Sequence, residues 1–547
     1  MKFPNKIIKS STLRFGLNLL ILVAITCISL HPAVASSNPE QVNATIIADL
    51  NQTAGEDLLS LVNTDVYEGG NPPFFNVIWS PDGDQMLIEA YVYRHIKGGG
   101  DFGSATVKAL YIANASGSQI KRVVWGESSS GRSIMSPVWS HSGDYFAYVE
   151  KSTGGMYGET SSQLVVMSND LRYIHKIDQE LAISGVLTDP FMVPFTFKWS
   201  PTEDKIITFT PGNVVVYEPY INTSFTFDIG NDYFDIDDIG LSEDGKKFSF
   251  SLSMITDEEL ATMNEEIIVV DIENRILERI YSAHNVGMYG AKWSPDSNKL
   301  VFYEISGSEK NSTLRYDVYV KNVDTDTPVK VTSFYSGSSG IRQWYPDSER
   351  LLAEIGSDNS HELISLSING DIDKLFTGDS SLDGMVSKSG YVLATKGDSY
   401  SSLSPYFKTQ DLVLLDAPYQ LEIEDVPYYR LEDDDLILVK NSNVSVVNIS
   451  TNDTCYVSIP AMSHGVISLH PSGRFIAIDS YIMELQGFEK QAVTSVGNDT
   501  YGSVPDEEDV ISEMNEQVET GNNGSISSFI NEKVDAFFGA VTEILEA

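Results

Sequence analysis

The sequence predicts an all-β protein, a β-propeller of four-stranded blades followed by a short C-terminal helix. Three observations carry that prediction. Five of the six tryptophans share one local context: Trp79 (WSPDG), Trp139 (WSHSG), Trp199 (WSPTE), Trp293 (WSPDS) and Trp344 (WYPDS). Each is followed by a polar turn and then an apolar run, as in MLIEAYV, YFAYVE, KIITF, KLVFYEI and RLLAEI. Degenerate copies begin at Leu241, Val386, Leu431 and Leu469, so that successive marks lie 38 to 60 residues apart. A period of this size is the signature of a repeat architecture.

One unit follows from turn and strand chemistry. In Ser-Pro-Asp-Gly, proline fixes φ, aspartate bonds the local backbone and glycine supplies positive φ. The flanking β-rich runs of four to eight residues, bounded by Gly, Asn and Asp, read as antiparallel strands. Between marks the chain supplies two more strands, for example RYDVYVKNV and PVKVTSF after KLVFYEI. A four-stranded sheet of that size cannot bury both faces alone, and stacking such sheets radially solves the problem. The tryptophan just before each turn is placed to wedge against the neighbouring blade. Nine marks are counted, but Leu431 and Leu469 are the weakest and closest pair. Eight blades are therefore expected, with seven or nine open. ATIIADL (44–50) or LLSLV (58–62) is available as a strand to complete the last blade.

The ends of the chain read differently. Lys2, Lys6, Lys9 and Arg14, the apolar run Leu17 to Leu30 and the small-residue site Ala33-Val34-Ala35 have the layout of a secretory signal peptide over 1–35. An uncleaved anchor and a lipidated Cys27 are the alternatives. Residues 36–70 form an N-terminal segment, 71–497 the propeller, 498–525 an acidic linker and 526–547 an amphipathic helix. A cleaved leader leaves Cys455 as the single cysteine, so core packing rather than a disulfide must stabilise the fold. Ten Asn-X-Ser/Thr sequons accompany this exported reading. The expected location is secreted, cell-surface or periplasmic, with no membrane span after cleavage.

The marked turn followed by a strand resembles the TolB-type propeller repeat, a relative in form of WD repeats. TolB itself, tricorn-like proteins and the propellers of prolyl oligopeptidase-like peptidases carry it. The likeness covers roughly residues 70–495. It implies a propeller and leaves activity undecided, because the repeat serves binding proteins and enzymes alike. Only about forty residues of the mature chain precede the first tryptophan, too few for the α/β domain that accompanies the TolB propeller.

Charge limits the partners. With 36 Lys+Arg against 77 Asp+Glu, the net charge is −41, which repels phosphate backbones and argues against nucleic-acid binding. Known catalytic patterns are missing: there is no Gly-X-Ser-X-Gly elbow, His-Glu-X-X-His, paired-cysteine motif or P-loop. Asp228–Asp232, Asp235–Asp238, Asp324 and Asp326 do not match a spaced calcium loop and read as solvated turns. No metal or cofactor is expected.

The loops leading into the innermost strands point to one rim of the axial channel. They bring Arg132, His284, Tyr289, Arg342 and His464 forward as the candidate binding residues. Two arginines on so acidic a chain make a positive focus suited to a carboxylate or an acidic peptide end, unless each pairs with a neighbouring acid. Glycine-rich hairpins at Arg94–Ser104 and Lys151–Ser161 belong to the same rim. The leading expectation is an exported, non-catalytic propeller that binds a protein or peptide there. The alternatives are a metal-dependent lyase or hydrolase in the funnel and an envelope-assembly protein with no discrete ligand.

Overall fold

In a computed structural model, the structure describes residues 40–486 apart from 42, 98–103, 154–159, 180–196, 211, 231–234, 258–261, 285–286, 309–312, 324, 326, 337, 358–359, 379–381, 401–407, 418, 427, 441–442 and 459–466. The leader, the acidic linker, the C-terminal helical segment, the glycine-rich hairpin tips, Asp324, Asp326 and His464 lie outside the described residues.

Nine sheets form nine blades, each an antiparallel meander of four strands. The nine marks lie at the ends of nine inner strands, so every mark, including the weak pair, belongs to a blade. First strands of neighbouring blades touch one another between blades 4 and 5, 5 and 6, 6 and 7, and 9 and 1, which identifies them as the innermost. Blade 1 begins with Phe74–Trp79, blade 2 with Arg132–Trp139, blade 5 with Gly287–Trp293, blade 6 with Ser338–Trp344 and blade 7 with Leu382–Val386. LEDDD lacks both proline and glycine, yet Asp433 takes φ 53° and does the work of the missing glycine.

The ring is closed by the N-terminal segment. Strand Asn43–Asp49 pairs antiparallel with Tyr481–Gln486 and is the fourth strand of blade 9. Glu40–Gln41 adds a parallel edge to blade 8. LLSLV is not a strand. It belongs to helix α1 (Ala54–Leu61), whose Ala54 and Leu58, four residues apart, bury one stripe in the seam between blades 9 and 1.

The core is a ring of nine apolar clusters, one in each seam between adjacent blades. Alternation along each strand sends successive side chains to the two faces, hence to two different seams. Leu87 faces blade 2, for example, whereas Met86 and Ile88 face α1 and blade 9. The tryptophans staple these seams by one repeated bond. Trp79, Trp139, Trp199 and Trp344 each donate the indole N–H to a backbone carbonyl of the preceding blade: Ser468, Ile78, Val138 and Lys292, at 2.9–3.2 Å. The accepting residue always stands immediately before that blade's own mark. Trp293 breaks the rule, and its indole nitrogen has no partner among the described residues. It faces blade 4, whose inner strand is bulged between Asp237 and Gly240.

Candidate functional site

The seam between blades 6 and 7 contains a polar cluster beside its apolar residues. Arg342 is the extra residue of a bulge in the inner strand of blade 6, between Ile341 and Gln343. Glu354 lies on the second strand, Arg350–Ser357, opposite Gly340. His361 is the second residue of the third strand, Ser360–Ser367, opposite Gly356. Leu382 and Asp383 open the inner strand of blade 7. His361, Leu382 and Asp383 sit at the end of the blades where inner strands begin, the rim to which the sequence pointed, and Glu354 and Arg342 lie further along their strands.

Glu354 organises the cluster. Its side chain is 6% exposed and it is approached from three directions. His361 Nδ1 lies 2.8 Å from Oε1, and the Leu382 backbone N–H donates to the same oxygen at 3.0 Å. Arg342 Nη2 donates to Oε2 and also approaches the Leu382 carbonyl at 3.4 Å. Burial alone would push this carboxyl up. The Leu382 N–H, the His361 ring and the Arg342 guanidinium outweigh that effect and hold it below the usual carboxylate range.

The tautomer of His361 follows. An ionised carboxylate only accepts, so Nδ1 must carry the proton that it shares with Glu354. In the neutral ring, the lone pair is then on Nε2, and no described residue bonds that nitrogen. The ring is 16% exposed. Gln343 fixes the seam beside it by a two-way amide clamp on Val386, donating to its carbonyl at 3.1 Å and accepting from its N–H at 2.9 Å. Such an arrangement holds an imidazole in one orientation with one basic nitrogen free, the pattern of a general base with its orienting acid.

Of the residues singled out from the sequence, only Arg342 belongs to this cluster. It pairs with Glu354 and lies 3.7 Å from Asp383, so its charge is offset by acids. Arg132 opens the inner strand of blade 2 and faces Glu150 at 3.8 Å, which Lys176 also reaches at 3.0 Å. The expected positive focus is thus neutralised at both arginines. His284 ends the outer strand of blade 4, exposed and opposite Asn264, at the perimeter rather than the channel. Tyr289 is on the inner strand of blade 5, its backbone paired with Tyr303. His464 lies outside the described residues. Sequence reasoning singled out none of Glu354, His361 and Asp383.

The other acids of this kind are spent on cations or a phenol. Glu89 meets Lys108 at 2.9 Å, Glu150 meets Lys176, and Glu304 accepts from the Tyr281 hydroxyl at 2.7 Å. No group of three His, Cys, Asp or Glu side chains positioned to hold a metal occurs among the described residues. No described helix is long and apolar enough to cross a membrane.

No protein-family model matches the chain, and no curated protein matches it by sequence. Solved structures do resemble it. The propeller domain of the Trilobed protease from Pyrococcus furiosus is 12% identical, with 68% of this chain and 98% of that one covered and a TM-score of 0.33. An oligogalacturonate lyase in complex with manganese is 10% identical, with 77% and 99% covered and a TM-score of 0.37. A eukaryotic initiation factor is 11% identical, with 68% and 86% covered and a TM-score of 0.43. Further similar structures are peptidases and a hydrolase, of which the chain spans 51% to 58% of the length. At this identity and these TM-scores the likeness transfers no activity, and the propeller fold rests on the nine sheets themselves. The expectation of a non-catalytic binding propeller is nonetheless corrected: these relatives in shape are mostly enzymes, and non-catalytic binding finds no support among them.

Proposed function

We propose that the chain is an exported propeller enzyme of the hydrolase or lyase class, with His361 as general base. The observation that supports this reading is the Glu354–His361 contact, which leaves Nε2 basic and unpartnered among the described residues. Nε2 takes a proton from a water or from an acidic C–H of the substrate. The imidazolium that forms is stabilised by Glu354, which stays ionised because Arg342 and the Leu382 N–H hold it so. A positioned base of this kind contributes roughly 10²–10⁴-fold in rate. Arg342 is a positioning residue here, since it acts through Glu354. The repeat itself we assign to the TolB type, on the strength of the WSPDG marks and the tryptophan ladder that they build. Export rests on the leader-like residues 1–35.

The test is product formation by the full chain on peptide and oligosaccharide libraries, followed by mass spectrometry in H₂¹⁸O. A hydrolase places ¹⁸O in its product, whereas a lyase leaves an unsaturated product without it. Loss of product with His361→Gln supports the assignment. Product formed equally well by that variant refutes it.

A further inference from the structure

The most exposed large apolar side chain of the described residues is Tyr220, at 84%, and Ile221 beside it is 55% exposed. They sit in the turn between the third and fourth strands of blade 3, Asn213–Glu218 and Thr223–Asp228. Two residues after Tyr220 stands Asn222, in the left-handed region at φ 51°, and Asn222-Thr223-Ser224 is a sequon. Its side chain has a defined orientation. The hydroxyls of Tyr173, on the blade 2 side of the seam, and of Tyr217 each lie 3.0 Å from Asn222 Oδ1. The amide oxygen is thereby held against the protein. Nδ2 has no described partner, on a residue that is itself exposed.

Three of the other described sequons are placed differently, and Asn452, which shares the left-handed conformation at φ 63°, is only half-exposed. Asn448 donates Nδ2 to Asp435 at 2.9 Å and uses its oxygen to cap a turn. Asn114 is tied by both ends of its amide to Ser118. Asn51 is exposed but follows the fully buried Leu50, with no aromatic neighbour in the chain.

We propose that Asn222 carries an N-linked glycan whose first sugar packs on the Tyr220 ring. A pyranose has an apolar face of C–H groups that an aromatic ring covers well, and burying that face removes the cost of leaving Tyr220 in water. The transfer needs a lipid-phosphate-linked sugar donor, supplied by a membrane transferase. Asn222 Nδ2 forms a bond to the anomeric carbon, the bond from that carbon to the phosphate oxygen breaks, and its electron pair leaves on the lipid phosphate. One amide proton passes to the transferase's base. The inference rests on the export reading, because donor and transferase act on exported chains.

The experiment is site-by-site glycopeptide mass spectrometry of the full chain from a glycosylating secretory host, with Ser224→Ala and Tyr220→Ala alongside. The expected result is a glycan at Asn222, lost with Ser224→Ala. Enzymatic removal of the sugar should lower Tm in the wild type but not in Tyr220→Ala. Glycans at other sequons with Asn222 bare overturn the assignment. A chain that keeps residues 1–35 and is bare throughout overturns it through the export on which it depends. An equal Tm loss in wild type and Tyr220→Ala overturns the stacking.

Discussion

Two seams of the ring each contain a histidine bonded to a neighbouring segment of the chain, and they use it in opposite ways. In the closing seam between blades 9 and 1, His470 donates Nε2–H to the Gly83 carbonyl at 2.7 Å and accepts the Ser472 N–H on Nδ1 at 3.1 Å. Both ring nitrogens are consumed. Trp79 packs edge-on against the same ring and donates to Ser468. The fit is tight enough that a Cβ on Gly83 would come within 2.5 Å of the imidazole. In the seam between blades 6 and 7, Glu354 consumes Nδ1 of His361 and nothing described consumes Nε2. A histidine with two backbone or hydroxyl partners is a staple. One with a buried carboxylate on one side and a free lone pair on the other is equipped for proton transfer.

The largest effect that separates the two is catalytic. His361→Gln should lower turnover by about 10²–10⁴-fold, whereas His470→Gln leaves it near wild type, as read by product formation on the substrate found in the library screen. Stability should rank the other way. Trp79→Ala removes a large seam side chain and its staple, and should cost about 3–5 kcal/mol in chemical denaturation. His470→Ala leaves the buried Gly83 carbonyl without its donor and should cost about 1–3 kcal/mol, more than His361→Ala in the same assay.

Acidification sharpens the contrast further. Burial pushes the His470 ring below the ordinary histidine value of about 6.5. The unfolded chain therefore binds a proton that the folded ring refuses, so this stability is present above pH 6.5 or so and drains away as pH falls through the folded value. His470→Gln should flatten that limb of a denaturation-midpoint profile. Glu354, held below the ordinary carboxylate range, should lose its contribution only at lower pH, and Glu354→Gln should remove that second, more acidic limb.

The fold was largely legible because its punctuation repeats. Each mark combines a large side chain with a turn of fixed chemistry, and the inner strands end at or beside those marks. The doubt over blade number came from the weak, closely spaced pair at Leu431 and Leu469; in the first, LEDDD, Asp433 adopts the left-handed conformation that a glycine usually supplies. LLSLV was ambiguous because a short apolar run fits either period, and Ala54 and Leu58 decide for the helix through their shared seam.

The site was less legible. Glu354 and His361 are seven residues apart but meet because they lie on adjacent strands of one hairpin, and the Leu382 N–H comes from the next blade. Arg342 was found from its place in a loop leading to the rim, without the carboxylate that neutralises it. A sequence signal did exist: acids interrupt the apolar second-strand runs at Glu89, Glu150, Glu304 and Glu354. An acid inside such a run needs a partner. Only the three-dimensional pairing tells which of them has a histidine rather than a lysine.

The most direct test needs no substrate. Diethyl pyrocarbonate acylates imidazole nitrogens that are unprotonated and free, and peptide mass spectrometry reads the rate at each histidine of the folded chain. The account predicts rapid modification of His361 at Nε2 and protection of His470, with protection lost on denaturation. Equal rates at the two residues, or a protected His361, would contradict it.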